Sequence, residues 1–282
     1  MKKLSIITIN YNNRDGLRKT IESVVNQTWQ DFEYIIIDGG STDGSVEVIK
    51  EFADHIDYWV SEPDKGIYNA MNKGVAVAKG KYCQFLNSGD TLSDTNVAKC
   101  IVSELDGKAI YFARTRFMDT FETITIPQQI TMRTLYKRSL PHPSSYIQRQ
   151  LLLKIPYDET LRIVSDWKFW IQAIILENCS YDILDLIAVD FDTNGISAKQ
   201  KNIALTERDV VLKQLLPHRV YIDYFHEING INYTDTDYDK LFIEIRKRNY
   251  RKIIYFTTVL LMRFFALFKK SALFIKRYPW QI

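Results

Sequence analysis

The sequence predicts an α/β fold on a mainly parallel central sheet flanked by helices. Three short apolar runs, Leu4–Ile9, Tyr34–Ile37 and Lys81–Leu86, alternate with segments of helical periodicity. Strands so continuously apolar are the ones covered by helices on both faces. Polar residues stand at or just beyond the ends of these runs: Asn10 and Tyr11, then Asp38, then Asp90. Ligands in such sheets bind beyond the carboxyl ends of the strands, so the three ends mark one candidate edge.

The elements follow in order. Leu4–Ile9 is a buried strand, and Leu17, Ile21, Val24 and Val25 recur at helical spacing behind it, with Asp15 as the expected cap. Tyr34–Ile37 is the second strand, and a Gly-Gly-Ser-Thr-Asp-Gly loop leads from it into a helix marked by Val46, Ile49 and Ala53. A brief strand at Asp57–Val60, a helix over 68–78 and the strand Lys81–Leu86 complete this half. Beyond residue 105 a mixed region is expected. It has strands at Ala109–Phe117, Thr123–Ile126, Ser144–Gln148 and Ala188–Asp192, and helices at Asp166–Asn178 and Lys199–Leu216, the latter stopped by Pro217. The expected organisation is a half at 1–105, a second half of the same domain at 106–217, and a helical basic-apolar extension at 218–282.

Composition sets limits on function. With 282 residues, 46% of them hydrophobic and 25% charged, the chain has ample material for a core. From Arg246 onward there are ten Lys or Arg and no Asp or Glu, which leaves the body net acidic although the whole chain is +3. An acidic body with a basic, apolar tail argues against nucleic acid and for a membrane surface. The apolar run Ile253–Phe268 is too short to span a bilayer and is interrupted by Arg263. Basic residues flank it, so an interfacial helix is expected, with packing on the body or on a partner chain as the alternative. Met1-Lys2-Lys3 precedes only a few apolar residues, too few for a signal peptide, so a cytoplasmic protein peripheral to the inner face of the membrane is expected. Cys83, Cys100 and Cys179 are odd in number and widely spaced, and are expected to be buried thiols.

Four segments carry a resemblance: Ser5–Asn12 (SIITINYN), Ser23–Thr28 (SVVNQT), Ile35–Gly44 (IIIDGGSTDG) and Phe85–Asp90 (FLNSGD). In order and spacing they resemble the family 2 glycosyltransferases, which have the GT-A fold. The stretch Ser61–Gly74 (SEPDKGIYNAMNKG) resembles the branch that builds bacterial exopolysaccharide and lipopolysaccharide. The resemblance implies an inverting transfer from a nucleoside-diphosphate sugar, uridine by default, to a hydroxyl of a growing, lipid-linked cell-surface glycan. The transferred sugar would be a hexose or N-acetylhexosamine. A non-catalytic nucleotide-sugar-binding assembly subunit at the membrane is the alternative, and homo-oligomerisation is left open. A dehydrogenase would need G-x-G-x-x-G after the first strand, where this chain has Asn10–Asp15 without glycine.

The resemblance also assigns residues. Asp38 is expected to accept the imide N–H of a uracil, with Asn10 and Tyr11 lining the same pocket; the alternative for Asp38 is a helix cap. Asp90 is expected to hold Mn²⁺ or Mg²⁺ against the leaving diphosphate. The family usually shows Asp-x-Asp there, whereas this chain keeps only the last acid of Asn87-Ser88-Gly89-Asp90. Lys65 either meets the nucleotide phosphates or sits in a solvated turn. Asp166 is the expected general base, in Ser165-Asp166-Trp167 where the family carries Glu-Asp before a Trp-rich helix. His142 and Trp167 are the expected contacts to acceptor or phosphate, a surface-loop imidazole being the alternative for His142. Asn194–Ser197 (NGIS) is expected as a loop over the site.

Overall fold

The computed structural model describes residues 2–193, 200–229 and 257. The chain divides into two compact units, Met1–Leu216 and Pro217–Ile282. The expected Asn194–Ser197 loop and the apolar run Ile253–Phe268, apart from Thr257, lie outside the described residues.

In the first unit β1 (Leu4–Asn10), α1 (Arg14–Val25), β2 (Glu33–Asp38), α2 (Ser45–Glu51), β3 (Tyr58–Ser61), α3 (Ile67–Val77) and β4 (Tyr82–Phe85) follow one another as expected. All seven residues of β1 and all six of β2 are buried, because helices cover both faces of these central strands. α1 presents Leu17, Ile21 and Val24 to the sheet. Its cap is Asn13, whose side chain accepts the Gly16 N–H at 3.3 Å, and not Asp15, which lies one residue inside the first turn.

The second half adds β5 (Thr91–Leu92), α4 (Val97–Glu104), β6 (Ile110–Phe117), β7 (Thr123–Ile124), α5 (Met132–Lys137), β8 (Ser145–Gln148), α6 (Arg149–Lys154), α7 (Ser165–Trp170), β9 (Tyr181–Phe191) and α8 (Lys201–Leu215). The sheet order is β3-β2-β1-β4-β8-β6-β9-β5, with β7 on β6. The strands β3, β2, β1 and β4 run parallel. From β8 on, pairings are antiparallel except β6 with β9, so the parallel character is confined to the first half. The helix expected over Asp166–Asn178 is α7 continued by a wider π turn at Ile171–Leu176. A further helix, α9 (His218–Asn229), belongs to the second unit. Among the described residues no helix is long and apolar enough to cross a membrane.

The thiols differ from expectation. Cys83 on β4 is buried, but Cys100 is exposed and Cys179 half-buried; none is paired. α4 buries Val97, Ala98 and Ile101, and position 100 falls off that stripe.

Candidate active site

Register builds the site's floor. Asn10 pairs with Asp38 across β1 and β2, and Asp38 with Ser61 across β2 and β3, so three polar side chains share the last row of three parallel strands. Asp38 is fully buried there. Its Oδ1 accepts the Asn10 amide at 2.7 Å and the Ser41 hydroxyl at 2.6 Å. Its Oδ2 accepts the Ser41 N–H at 2.9 Å and the Ser61 hydroxyl at 2.6 Å. Burial alone would raise this carboxyl, but the hydrogen bonds from Ser41, Ser61 and Asn10 outweigh it and hold the pKa below the ordinary value. A carboxylate with both oxygens taken up in this way shapes the 38–41 loop from beneath and offers no free lone pair to a base. Asn10 is buried with it, whereas Tyr11 stands 67% exposed at the mouth. The cap of α2 is Gly44, which has no side chain, and Asp43 just before it accepts the Ser45 N–H at 3.1 Å through Oδ1.

The loop after β4 is seated on α1. Thr20 Oγ1 donates to the Asp90 carbonyl at 2.7 Å and accepts the Gly89 N–H at 3.0 Å, while Asn13 donates to the Ser88 carbonyl at 3.0 Å. Gly89 has φ +108, a backbone state that disfavours a side chain. The β5–β9 pairing, Thr91 opposite Asp190, brings the end of β9 alongside. Asp90 Oδ1 accepts the Asp192 N–H at 3.0 Å. Burial, with the Asp192 charge adding to it, pushes the Asp90 carboxyl up to about 8 against the pull of that N–H. Among the described residues no group of three or more His, Cys, Asp or Glu forms a metal cage. Two neighbouring carboxylates suit a hard cation that takes its remaining ligands from phosphate and water. The expected cation therefore fits at Asp90, with Asp192 as its neighbour.

Asp166 opens α7 and is fixed from two directions. The Tyr68 hydroxyl, from the first turn of α3, lies 3.0 Å from Asp166 Oδ1 and 2.6 Å from the Ile163 carbonyl. Burial, with the Asp166 charge behind it, holds the Tyr68 phenol well above its ordinary pKa. From α8, Glu207 accepts the N–H groups of Arg162, Ile163 and Val164 at 2.7, 2.9 and 3.2 Å, pinning the segment that delivers Asp166. Two more α3 residues clasp the approach: Asn72 donates to the Tyr157 carbonyl and accepts the Tyr157 N–H, and Asn69 donates to Glu159.

Of the other expected contacts, Trp167 and His142 are buried and Lys65 is exposed. Trp167 is buried, its indole N–H donating to the Leu135 carbonyl at 2.6 Å, because the helix turns it inward beside Trp170. His142 is no surface imidazole; it shares a 2.8 Å hydrogen bond with the Tyr157 hydroxyl and stacks on Phe85. Lys65 is exposed, and its N–H donates to Asn69 Oδ1 at 3.2 Å.

Arg208 was not legible in the sequence. It sits in α8 with its guanidinium 4.9 Å from the centre of the Trp167 ring, and its buried Nε has no partner among the described residues. Burial lowers its pKa while the nearby Asp166 charge opposes that shift. Its only sequence signal is its position next to Glu207.

Known proteins resemble this chain in sequence and fold. The chain is 33% identical over 210 residues to Rv1514c, an uncharacterized glycosyltransferase of Mycobacterium tuberculosis (strain H37Rv), covering 72% of this chain and 79% of that one. It is 30% identical over 183 residues to the PGL/p-HBAD biosynthesis glycosyltransferase of Mycobacterium bovis (strain BCG / Pasteur 1173P2), covering 60% and 68%. Among solved structures, Staphylococcus aureus TarS 1-349 in complex with UDP-GlcNAc superposes with a TM-score of 0.62 at 17% identity, over 83% of this chain and 73% of that one. The Pyrobaculum calidifontis mannosyltransferase PcManGT, in complex with GDP-Man and Mn²⁺, gives 0.53 at 14%, over 66% and 56%. Both structures have the GT-A fold, so the curled sheet with its flanking helices is that of the GT-A glycosyltransferases. The family model "Glycosyl transferase family 2" matches residues 5–160, more than half of the sequence and every segment of the floor built above. By that match and the 33% relative, the chain belongs to glycosyl transferase family 2.

Proposed function

We propose that this glycosyltransferase performs a single inverting displacement, from a uridine-diphosphate sugar to a hydroxyl of a lipid-linked glycan. The observation that carries the reading is the fixing of Asp166 by Tyr68 and of the segment before it by Glu207, with the Arg208 guanidinium against Trp167 beside them. Asp166 takes the proton of the acceptor hydroxyl as that oxygen bonds to C1 of the sugar. The bond from C1 to the β-phosphate oxygen breaks, and its electron pair leaves on the diphosphate. Arg208, stacked on Trp167, gives that departing charge a fixed cation. Asp90 and Asp192 would hold a divalent cation, which supplies further neutralisation of the diphosphate. Tyr11 covers the base at the mouth, and Asn10 and Asp38 support the floor beneath it. Lys65, exposed beside this mouth, meets the phosphates only as a solvated charge.

The test is turnover of labelled UDP-hexoses and UDP-N-acetylhexosamines, scored as transfer to a membrane lipid extract or as donor hydrolysis. Asp166→Asn should lower the rate by about 10²- to 10⁴-fold while leaving UDP affinity unchanged. Equal turnover in wild type and Asp166→Asn would remove Asp166 as the base. UDP-sugar binding without turnover in either protein would favour the assembly subunit.

A further inference from the structure

Asp38 cannot read a base while both its oxygens are engaged, yet a second carboxylate reaches the same place. Gly39 follows Asp38 and has no side chain. A Cβ there would stand 3.1 Å from Cδ2 of the exposed Tyr11 and 3.2 Å from Oδ2 of Asp64. Asp64 therefore projects from the loop after β3 into the space that a side chain at 39 would fill, beside the only exposed ring of the floor.

Its two oxygens are unequal. Lys73, on α3, donates to Oδ1 at 2.7 Å, and among the described residues no donor meets Oδ2. The carboxylate is only 10% exposed, and the oxygen that Lys73 leaves free is open to a donor from a ligand. Lys73 is itself anchored a second time by Glu62 at 2.7 Å, which fixes the orientation of the pair independently of Asp64.

Resting on the donor-site reading above, we infer that Asp64 is the base-reading residue, accepting the imide N–H of uracil at Oδ2. One available oxygen matches one N–H. Guanine presents two adjacent donors and pairs best with two carboxylate oxygens, of which Lys73 has taken one. Cytosine has a bare ring nitrogen at the position of the uracil imide and would set two acceptors face to face.

The same geometry predicts the behaviour of Asp64→Asn. The Lys73 ammonium has only donors, so it holds the amide carbonyl and turns the NH₂ toward the base. That NH₂ repels the uracil imide and donates to the ring nitrogen of cytosine. The experiment is calorimetric titration of the full chain with UDP, CDP, GDP and N3-methyl-UDP, wild type against Asp64→Asn. Wild type should bind UDP about ten- to a hundredfold tighter than CDP or N3-methyl-UDP, and Asp64→Asn should reverse the order of UDP and CDP. Donor KM should rise in the variant by a larger factor than kcat falls. A wild-type preference for UDP that survives unchanged in Asp64→Asn overturns the assignment and leaves the donor site standing, as does equal binding of UDP and N3-methyl-UDP by wild type, which needs no variant to fold. A folded wild type that binds none of the four sinks the donor-site reading and this inference with it.

Discussion

A buried imidazole stays neutral when a charge on it would be stranded among rings. His142 lies against Phe85, Tyr157 and Trp170, and burial lowers its pKa despite the nearby Asp166 charge. The unfolded chain takes up that proton near the ordinary value of 6.5, and the folded chain only below it. Its contribution is therefore fully present above 6.5 and is lost as the pH falls toward the lower folded value. Chemical denaturation on both sides of that window should show wild type losing stability on acidification, and His142→Gln should flatten the loss. An unchanged pH slope in the variant would mean that another group is responsible. Asp38 has the opposite polarity of design. It is a carboxylate whose lowered pKa stabilises the fold above the ordinary value of 3.8, with that contribution lost in stronger acid. Sequence reasoning placed Asp38 at the end of its strand but read His142 as an acceptor contact or a surface-loop imidazole, not as a buried ring. It could not count the donors around each, and that count decides whether a polar group faces a ligand or the floor.

The decisive element is α3. Its motif reads like a phosphate loop, yet Tyr68, Asn69 and Asn72 all face the 157–166 segment, so the helix works as a clasp that delivers Asp166. Asn72→Ala removes both bonds to the Tyr157 backbone and should cost about 1–3 kcal/mol, with kcat falling and UDP affinity preserved. On the opposite face Gly74 lets the helix lie on the sheet: a Cβ there would stand 2.5 Å from Ile7 Cγ2. Gly74→Ala should destabilise by about 1–3 kcal/mol, read from the denaturation midpoint; a neutral result would mean that α3 shifts freely on the sheet. The first half was legible because β1 and β2 are short, mostly apolar runs rich in Ile that end in polar residues. β9 was read only at its end, because Asp182 and Asp185 interrupt the pattern, although alternation along a strand tolerates an outward acid. α5 and α6, each of six residues, are too short to establish a helical period.

At the scale of the whole molecule, an acidic catalytic unit precedes a basic, apolar C-terminal stretch. We expect the full chain to cosediment with vesicles containing anionic phospholipid and to be released by salt, the signature of surface charge attraction. Retention at high salt without anionic lipid would contradict that mode of attachment. The proposal for the first unit is that the edge formed by Asn10, Tyr11, Asp38, Asp64 and Asp90 would hold a uridine diphosphate with the help of a divalent cation. Titrating UDP into the full chain with Mn²⁺ and then with chelator, for wild type and Asp90→Asn, tests it most directly. The account predicts saturable binding that weakens by about tenfold or more on chelation, together with an Asp90→Asn protein indifferent to Mn²⁺. A folded wild type that binds no UDP in the presence of Mn²⁺ would contradict it.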